Sequence, residues 1–152
     1  MKIVLLCVGR PRSAPLQTLC DGYLARLQRY GPFEVREVRP ARATEPSAAV
    51  AEESARLLEA LAGPGRVWIL DERGRMVGSR GLAERLGQLE SRSVKRLTIV
   101  LGGAHGLSDP VRRGGELLAL SSLTFPHELC RLIILEQLYR ARTIPRGEPY
   151  HH

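Results

Sequence analysis

The alternation of apolar and polar positions divides the chain into strands and helices in turn. Residues 2 to 8, KIVLLCV, form an apolar run closed by Gly9 and Pro11, which reads as a buried strand. From 14 to 30, Leu16, Leu19, Cys20, Tyr23, Leu24 and Leu27 keep the spacing of one helical face, and Gly31 and Pro32 end it. Residues 33 to 39, FEVREVR, alternate Phe33 and Val35 against charges, as an edge strand with one wet face does. After a loop at 40 to 46, Pro46 opens a helix through 62 with Val50, Leu57, Leu58 and Leu61 inward.

Two further apolar runs, 66 to 71 and 95 to 101, are central-strand candidates. Between them the pattern predicts a turn at 72 to 75 and a helix from a Ser79 cap to about 90. Beyond 102 come a glycine-rich loop, a short polar turn at 112 to 115, a strand at 116 to 121 and a strongly apolar helix from about 126 to 141. Alternating strand and helix predicts an α/β fold, a mostly parallel sheet with helices on both faces. The last helix carries Leu129, Leu132, Ile133, Ile134, Leu135, Leu138 and Tyr139, an arc wider than one core-facing stripe. A second surface must cover it, either a subunit interface or the chain's own core.

The length of 152 residues and the 43% hydrophobic content suit one domain spanning 1–152. No run is long enough for a membrane helix and no secretory cleavage pattern opens the chain, so a soluble, cytoplasmic protein is expected. Cys7, Cys20 and Cys130 are odd in number and widely spaced, which favours reduced thiols over disulfides. The formal charge is +7, and all but Lys2 and Lys95 of the 23 cations are Arg. Arginine makes planar two-donor contacts with phosphate, so the excess suits a nucleic acid, although a compositional bias would give the same count. The charge is spread along the chain, with no basic tail or block.

Gly102, Gly103, Ala104, His105 and Gly106 follow a predicted parallel strand, where open α/β sheets bind ligands. Glycines there either let a ligand approach the backbone or serve a plain turn with positive φ. A branched side chain at Gly102 is expected to block a ligand in the first case and to cause misfolding in the second. The spacing fits neither GxGxxG nor a P-loop. The loop Leu120, Ser121, Ser122, Leu123, Thr124 and Phe125 offers amides and hydroxyls beside apolar walls, suited to an uncharged ring. His105, His127, His151 and His152 show no metal-ligand spacing, and no metal is expected. His127 reads first as a helix-capping group, and Glu136 with Arg140 as a simple i,i+4 helix pair. The tail at 146 to 152, RGEPYHH, offers Tyr and His for base stacking.

Four segments carry a resemblance: LDERG at 70–74, LGGAHGLS at 101–108, LSSLTFPHELCRLIILEQLYRA at 120–141 and the closing PYHH. In that order, and over the whole length, the chain resembles the RlmH family of SPOUT methyltransferases. The resemblance implies a C-terminal trefoil knot, which general topology rules would not anticipate. It implies a homodimer that uses S-adenosylmethionine to methylate N3 of a pseudouridine in 23S ribosomal RNA, at the subunit interface of the assembled ribosome. No metal is implied, because the sulfonium already activates the methyl group.

By the same resemblance Leu70, Gly102 and Leu120, Ser121, Ser122, Leu123, Thr124 and Phe125 belong to the cofactor pocket. Glu136, Arg140, Tyr150 and His151 belong to the active-site set, with His127 at the end of the cofactor loop. The tail is expected to cross to the partner's pocket, and the general base stays open. Where the family ends in PYHR or PYHK, this chain ends in His152. Two other readings remain: a knotted methyltransferase with another target, such as a transfer-RNA base, or a non-catalytic RNA-binding protein of the same fold. Without an extra RNA-binding domain, specificity is expected to come from the shape of a large assembly.

Overall fold

A computed structural model describes residues 1–151 of the chain, so the terminal His152 lies outside the described residues. Five strands, β1 (Lys2–Val8), β2 (Phe33–Val38), β3 (Arg66–Met76), β4 (Arg96–Leu101) and β5 (Glu116–Ala119), form one parallel sheet in the order β2-β1-β4-β3-β5. The helices are α1 (Ala14–Gln28), α2 (Pro46–Ala60), α3 (Ser79–Ser91), the single turn α4 (Asp109–Arg113) and α5 (His127–Thr143), followed by a 3-10 turn at Ile144–Arg146. The expected α/β architecture is therefore present, with β2 at an edge and β4 in the middle.

The period of two along each strand explains the apolar runs. Ile3, Leu5 and Cys7 of β1, with Leu97, Ile99 and Leu101 of β4, face a core completed by α1, α3 and α5. Leu6, Val8, Val100 and Ile69 point the other way, towards Leu57 of α2 and Val111 of α4. A strand covered on both faces has no wet positions, so alternation disappears from its sequence. The buried Cys7 thiol is pushed up to about 12 by that burial, which keeps it protonated.

Local chemistry sets the helix starts. Ser13 caps α1 by accepting from the Leu16 amide, and the Glu45 carboxylate caps α2 by accepting from the Ser47 and Ala48 amides. At α3 the cap position falls to Gly78, and Ser79, expected to cap, instead donates its hydroxyl to Gln137 of α5 at 2.7 Å. The polar turn expected at 112 to 115 is the end of α4, held by Arg112 N to Ser108 O. No described helix is long and apolar enough to cross a membrane.

Two expectations change. The turn placed at 72 to 75 is an irregularity inside β3: Leu70 and Arg75 both pair with Leu118, so the residues between them are squeezed out of the ladder. Gly74 is required there, since a Cβ would lie 2.5 Å from the Leu118 backbone. The broad apolar arc of α5 is largely consumed within the chain, because the helix runs between α1 and α3 and buries Ile134, Leu135 and Leu138 completely. Leu129 and Ile133 stay half-buried.

One ion pair, buried on its guanidinium side, ties α5 to the sheet. Arg131, 5% exposed, donates to the Gly9 carbonyl at 3.0 Å and pairs with Glu37 of β2 at 2.5 Å. Arg131→Ala is expected to cost about 1–3 kcal/mol in urea denaturation, because the Gly9 carbonyl loses its donor while Glu37, which stays exposed, keeps Arg10. A cost below about 1 kcal/mol would show that the pair does not set the position of α5.

Candidate active site

A cleft of about 810 Å3 opens past the C-terminal ends of β3 and β4. Ligand sites of α/β sheets occupy this end, and the volume lies in the range of small-molecule pockets. The structure gathers here Leu70, Gly102, Leu120, Ser121, Leu123, Thr124 and Phe125, with His127 at its border. Ser122 is exposed and is not part of the lining. The Ser121 hydroxyl accepts from the Leu123 amide at 3.0 Å, shaping the turn that leaves Leu123 70% exposed at the rim. His127 is the first residue of α5 and makes no capping bond.

The glycine loop is built by close packing as much as by dihedrals. Only Gly106 has positive φ, at 85°, and its amide bonds the Gly103 carbonyl at 3.1 Å. At Gly102 a Cβ would meet the Leu107 side chain at 2.8 Å and the Gly106 carbonyl at 3.0 Å. The missing side chain would thus point into the loop's own packing, contrary to the expectation that it would meet a ligand. Gly103 is similarly occupied on its far side by the Glu53 carboxylate.

Sequence reasoning missed the polar wall of this cleft. Asp71 and Arg112 pair at 2.6 Å with side chains 6% and 19% exposed, and Arg112 also reaches Asp109 at 3.1 Å. The Asp71 carboxylate, its largest partner, holds the Arg112 guanidinium more firmly protonated than usual. Glu72, Arg73 and His105 complete the wall. The available signal was the LDERG segment itself: the irregularity in β3 carries Asp71, Glu72 and Arg73 out of the ladder to the cleft.

Glu136, Arg140 and Tyr150 meet elsewhere, towards the other end of α5. Arg140 donates to Glu136 through Nε at 3.0 Å and Nη2 at 2.6 Å, and its Nη1 reaches the Tyr150 carbonyl at 3.3 Å. The Tyr150 hydroxyl donates to Glu136 at 3.0 Å and lies 3.1 Å from the Tyr23 hydroxyl of α1. Burial first, then these two bonds, push the Tyr150 hydroxyl far above its ordinary value. The Tyr150 ring stacks edge-on to Tyr139 at 4.8 Å, with the Arg140 guanidinium 4.7 Å from its centre. A left-handed Gly147, φ 63°, turns the chain so that this tail lies back on α5. His151 follows, and its Nδ1 is buried with no hydrogen-bond partner.

The i,i+4 pair of Glu136 and Arg140 thus exists, within a larger polar hub. From His127 to Arg140 is thirteen residues of helix, about 20 Å, so one chain does not bring the hub to its own cleft edge at His127. Among the described residues no group of three His, Cys, Asp or Glu side chains converges as metal ligands.

Comparison with known proteins gives consistent likenesses. Residues 1–151 match the family described as "Predicted SPOUT methyltransferase". Curated proteins named "Ribosomal RNA large subunit methyltransferase H" are similar over full length. The one from Geobacter metallireducens is 40% identical, covering 100% of this chain and 99% of that protein. That from Syntrophotalea carbinolica is 43% identical with the same coverage. Among solved structures, TrmJ from Z. mobilis ZM4 aligns with TM-score 0.55 at 13% identity, over 100% of this chain and 73% of that one, a likeness of fold.

The loop packing gives a direct test. Gly102→Ala is expected to destabilise the protein by about 1–3 kcal/mol in denaturant titration, the usual range for overpacking. A loss below about 0.5 kcal/mol would show that Leu107 yields and that the loop does not depend on the close approach.

Proposed function

Since the chain belongs to the SPOUT methyltransferase family, we propose that it transfers a methyl group from S-adenosylmethionine to N3 of a pseudouridine in 23S ribosomal RNA, as a cytoplasmic homodimer acting on the assembled ribosome. The full-length likeness to proteins named as ribosomal RNA large subunit methyltransferases carries this reading. The trefoil knot belongs to it as well, and the position of β5 beside β3 is compatible with such a thread.

The cleft's donor set fits the cofactor. Leu70, Leu120, Leu123, Phe125 and Pro126 give apolar surface for an uncharged ring, and the segments 101–107 and 120–126 bring backbone groups to the cleft. The Asp71–Arg112 pair offers opposite charges to a zwitterionic amino-acid end. S-adenosylmethionine bound there supplies a methyl group already activated by its sulfonium charge.

The polar hub would handle the nucleotide. Glu136 accepts from Arg140, Tyr150 and Gln137, so its oxygens are engaged, and it orients its donors instead of taking a proton. Arg140 keeps guanidinium donors beyond these bonds for a phosphate or base. Tyr150, held neutral by its raised value, donates and does not abstract. His151, the imidazole next to this hub, is the proposed acceptor for the weakly acidic imide proton. In line placement of N3 with the methyl carbon is the remaining requirement.

Because cleft and hub lie towards opposite ends of α5, two chains related by a twofold axis would complete each other's sites. His151→Ala is expected to lower kcat by about 10²–10⁴-fold with cofactor affinity unchanged. Leu123→Glu is expected to abolish cofactor binding. Mixed dimers of the two variants should regain activity, measured as tritium transfer, because one of their two sites then has both parts intact. No recovery in verified heterodimers would overturn the shared site.

The reaction itself is tested by methyl transfer to ribosomes from cells with and without the pseudouridine synthase for the target base. Assembled ribosomes carrying pseudouridine should be methylated and free stem-loops should not. Equal transfer to uridine and pseudouridine, or efficient transfer to a short free stem-loop, would overturn the assignment of substrate.

A further inference from the structure

A second cavity, of about 570 Å3, lies at the opposite, N-terminal ends of β3 and β5, between them and α3. Four guanidinium groups line it: Arg66 of β3, Arg85 and Arg92 at α3, and Arg113 at the end of α4. The single carboxylate on its wall, Glu116, is held by Arg85. Arg66, Arg92 and Arg113 are exposed and make no ion pair among the described residues. Arg85 sits 5.3 Å from the centre of the Trp68 ring and keeps a buried Nε–H with no acceptor.

The contrast with the cations of the proposed reaction site is direct. There Arg140 is engaged by Glu136, and Arg112 by Asp71 and Asp109. Their net charge is offset by these carboxylates, so the donors that Arg140 keeps add little long-range attraction, and uncompensated positive charge stands elsewhere. The groove concentrates it.

We propose that this groove is a second RNA-contact site that grips backbone phosphates of the substrate at a distance from the reacting base. The proposal rests on the ribosomal RNA reading above. Guanidinium forks suit phosphate oxygens, which accept two parallel N–H bonds, and a concave cleft admits a phosphodiester chain where a flat bilayer cannot enter. Arg66 and Leu70 stand four residues apart on β3, about 13 Å, so one folded RNA spans both cavities. Contacts of this kind carry no sequence information, and they set orientation and affinity.

The test uses Arg92→Gln and Arg113→Gln, both exposed and in no ion pair among the described residues, singly and together, with Arg42→Gln, outside the lining of either cavity, as a charge control. Binding of protein-free large-subunit ribosomal RNA is measured across a range of KCl concentrations. Each groove substitution should flatten the plot of log affinity against log salt by about 0.7–0.9, and the double variant by about twice that. Arg92→Lys with Arg113→Lys should restore the slope, and calorimetry with S-adenosylmethionine should give wild-type affinity throughout. An unchanged slope in the glutamine variants, or an equal loss in Arg42→Gln, overturns the groove. Absent methyl transfer by the wild type, with the groove-dependent slope intact, would instead overturn the proposed reaction and leave the RNA contact standing.

Discussion

Arg131 is the fixed point of this fold. Its guanidinium, buried at the second turn of α5, joins that helix to the end of β1 through the Gly9 carbonyl and to edge strand β2 through Glu37. Burying a charge is costly, and the cost is offset only when partners stand at bonding distance. The pair therefore specifies one position of α5 along the sheet, where hydrophobic packing alone would tolerate sliding. Everything proposed for catalysis hangs on that position: His127 meets the cleft at one end of α5, and the polar hub of Glu136, Arg140 and Tyr150 forms towards the other.

The two cavities divide the sheet by chemistry. At the C-terminal ends of the strands, apolar side chains, closely packed loops and the paired Asp71 and Arg112 line a cleft of small-molecule size. At the N-terminal ends four arginines stand around the groove with Trp68, Gln88 and a single carboxylate, Glu116. The same strands, β3 and β5, run between them.

Much of the architecture was legible in the sequence because doubly covered strands leave continuous apolar runs, as in KIVLLCV and RLTIVL. Errors arose where tertiary context overrode local signals. Ser79 looked like a cap, but Gln137 of α5 takes its hydroxyl. The segment after Leu70 looked like a turn, but β5 re-pairs with β3 at Arg75. The apolar breadth of α5 signalled two coverings, and the sequence could not say that α1 and α3 supply most of both. Gly102 lines the cleft, and its missing side chain answers to a contact that only the fold creates, the approach of Leu107. Asp71 and Arg112 are 41 residues apart in the chain, and nothing local marks them as partners. The residues of the hub were found through family likeness; their spacing alone suggested no more than an ordinary helix pair.

The two margins of the sheet are guarded in different ways. β2 alternates charge along its length, with Glu34 tied to Lys2 and Arg36, and Glu37 to Arg10 and Arg131. β5 is only four residues long and sits against a distorted stretch of its neighbour. Neither margin presents a long, flat row of free amides and carbonyls to an incoming strand. Two copies of this chain are thus steered away from joining sheets edge to edge, the route that leads to open-ended stacking, which leaves helix faces and loops for any pairing between them.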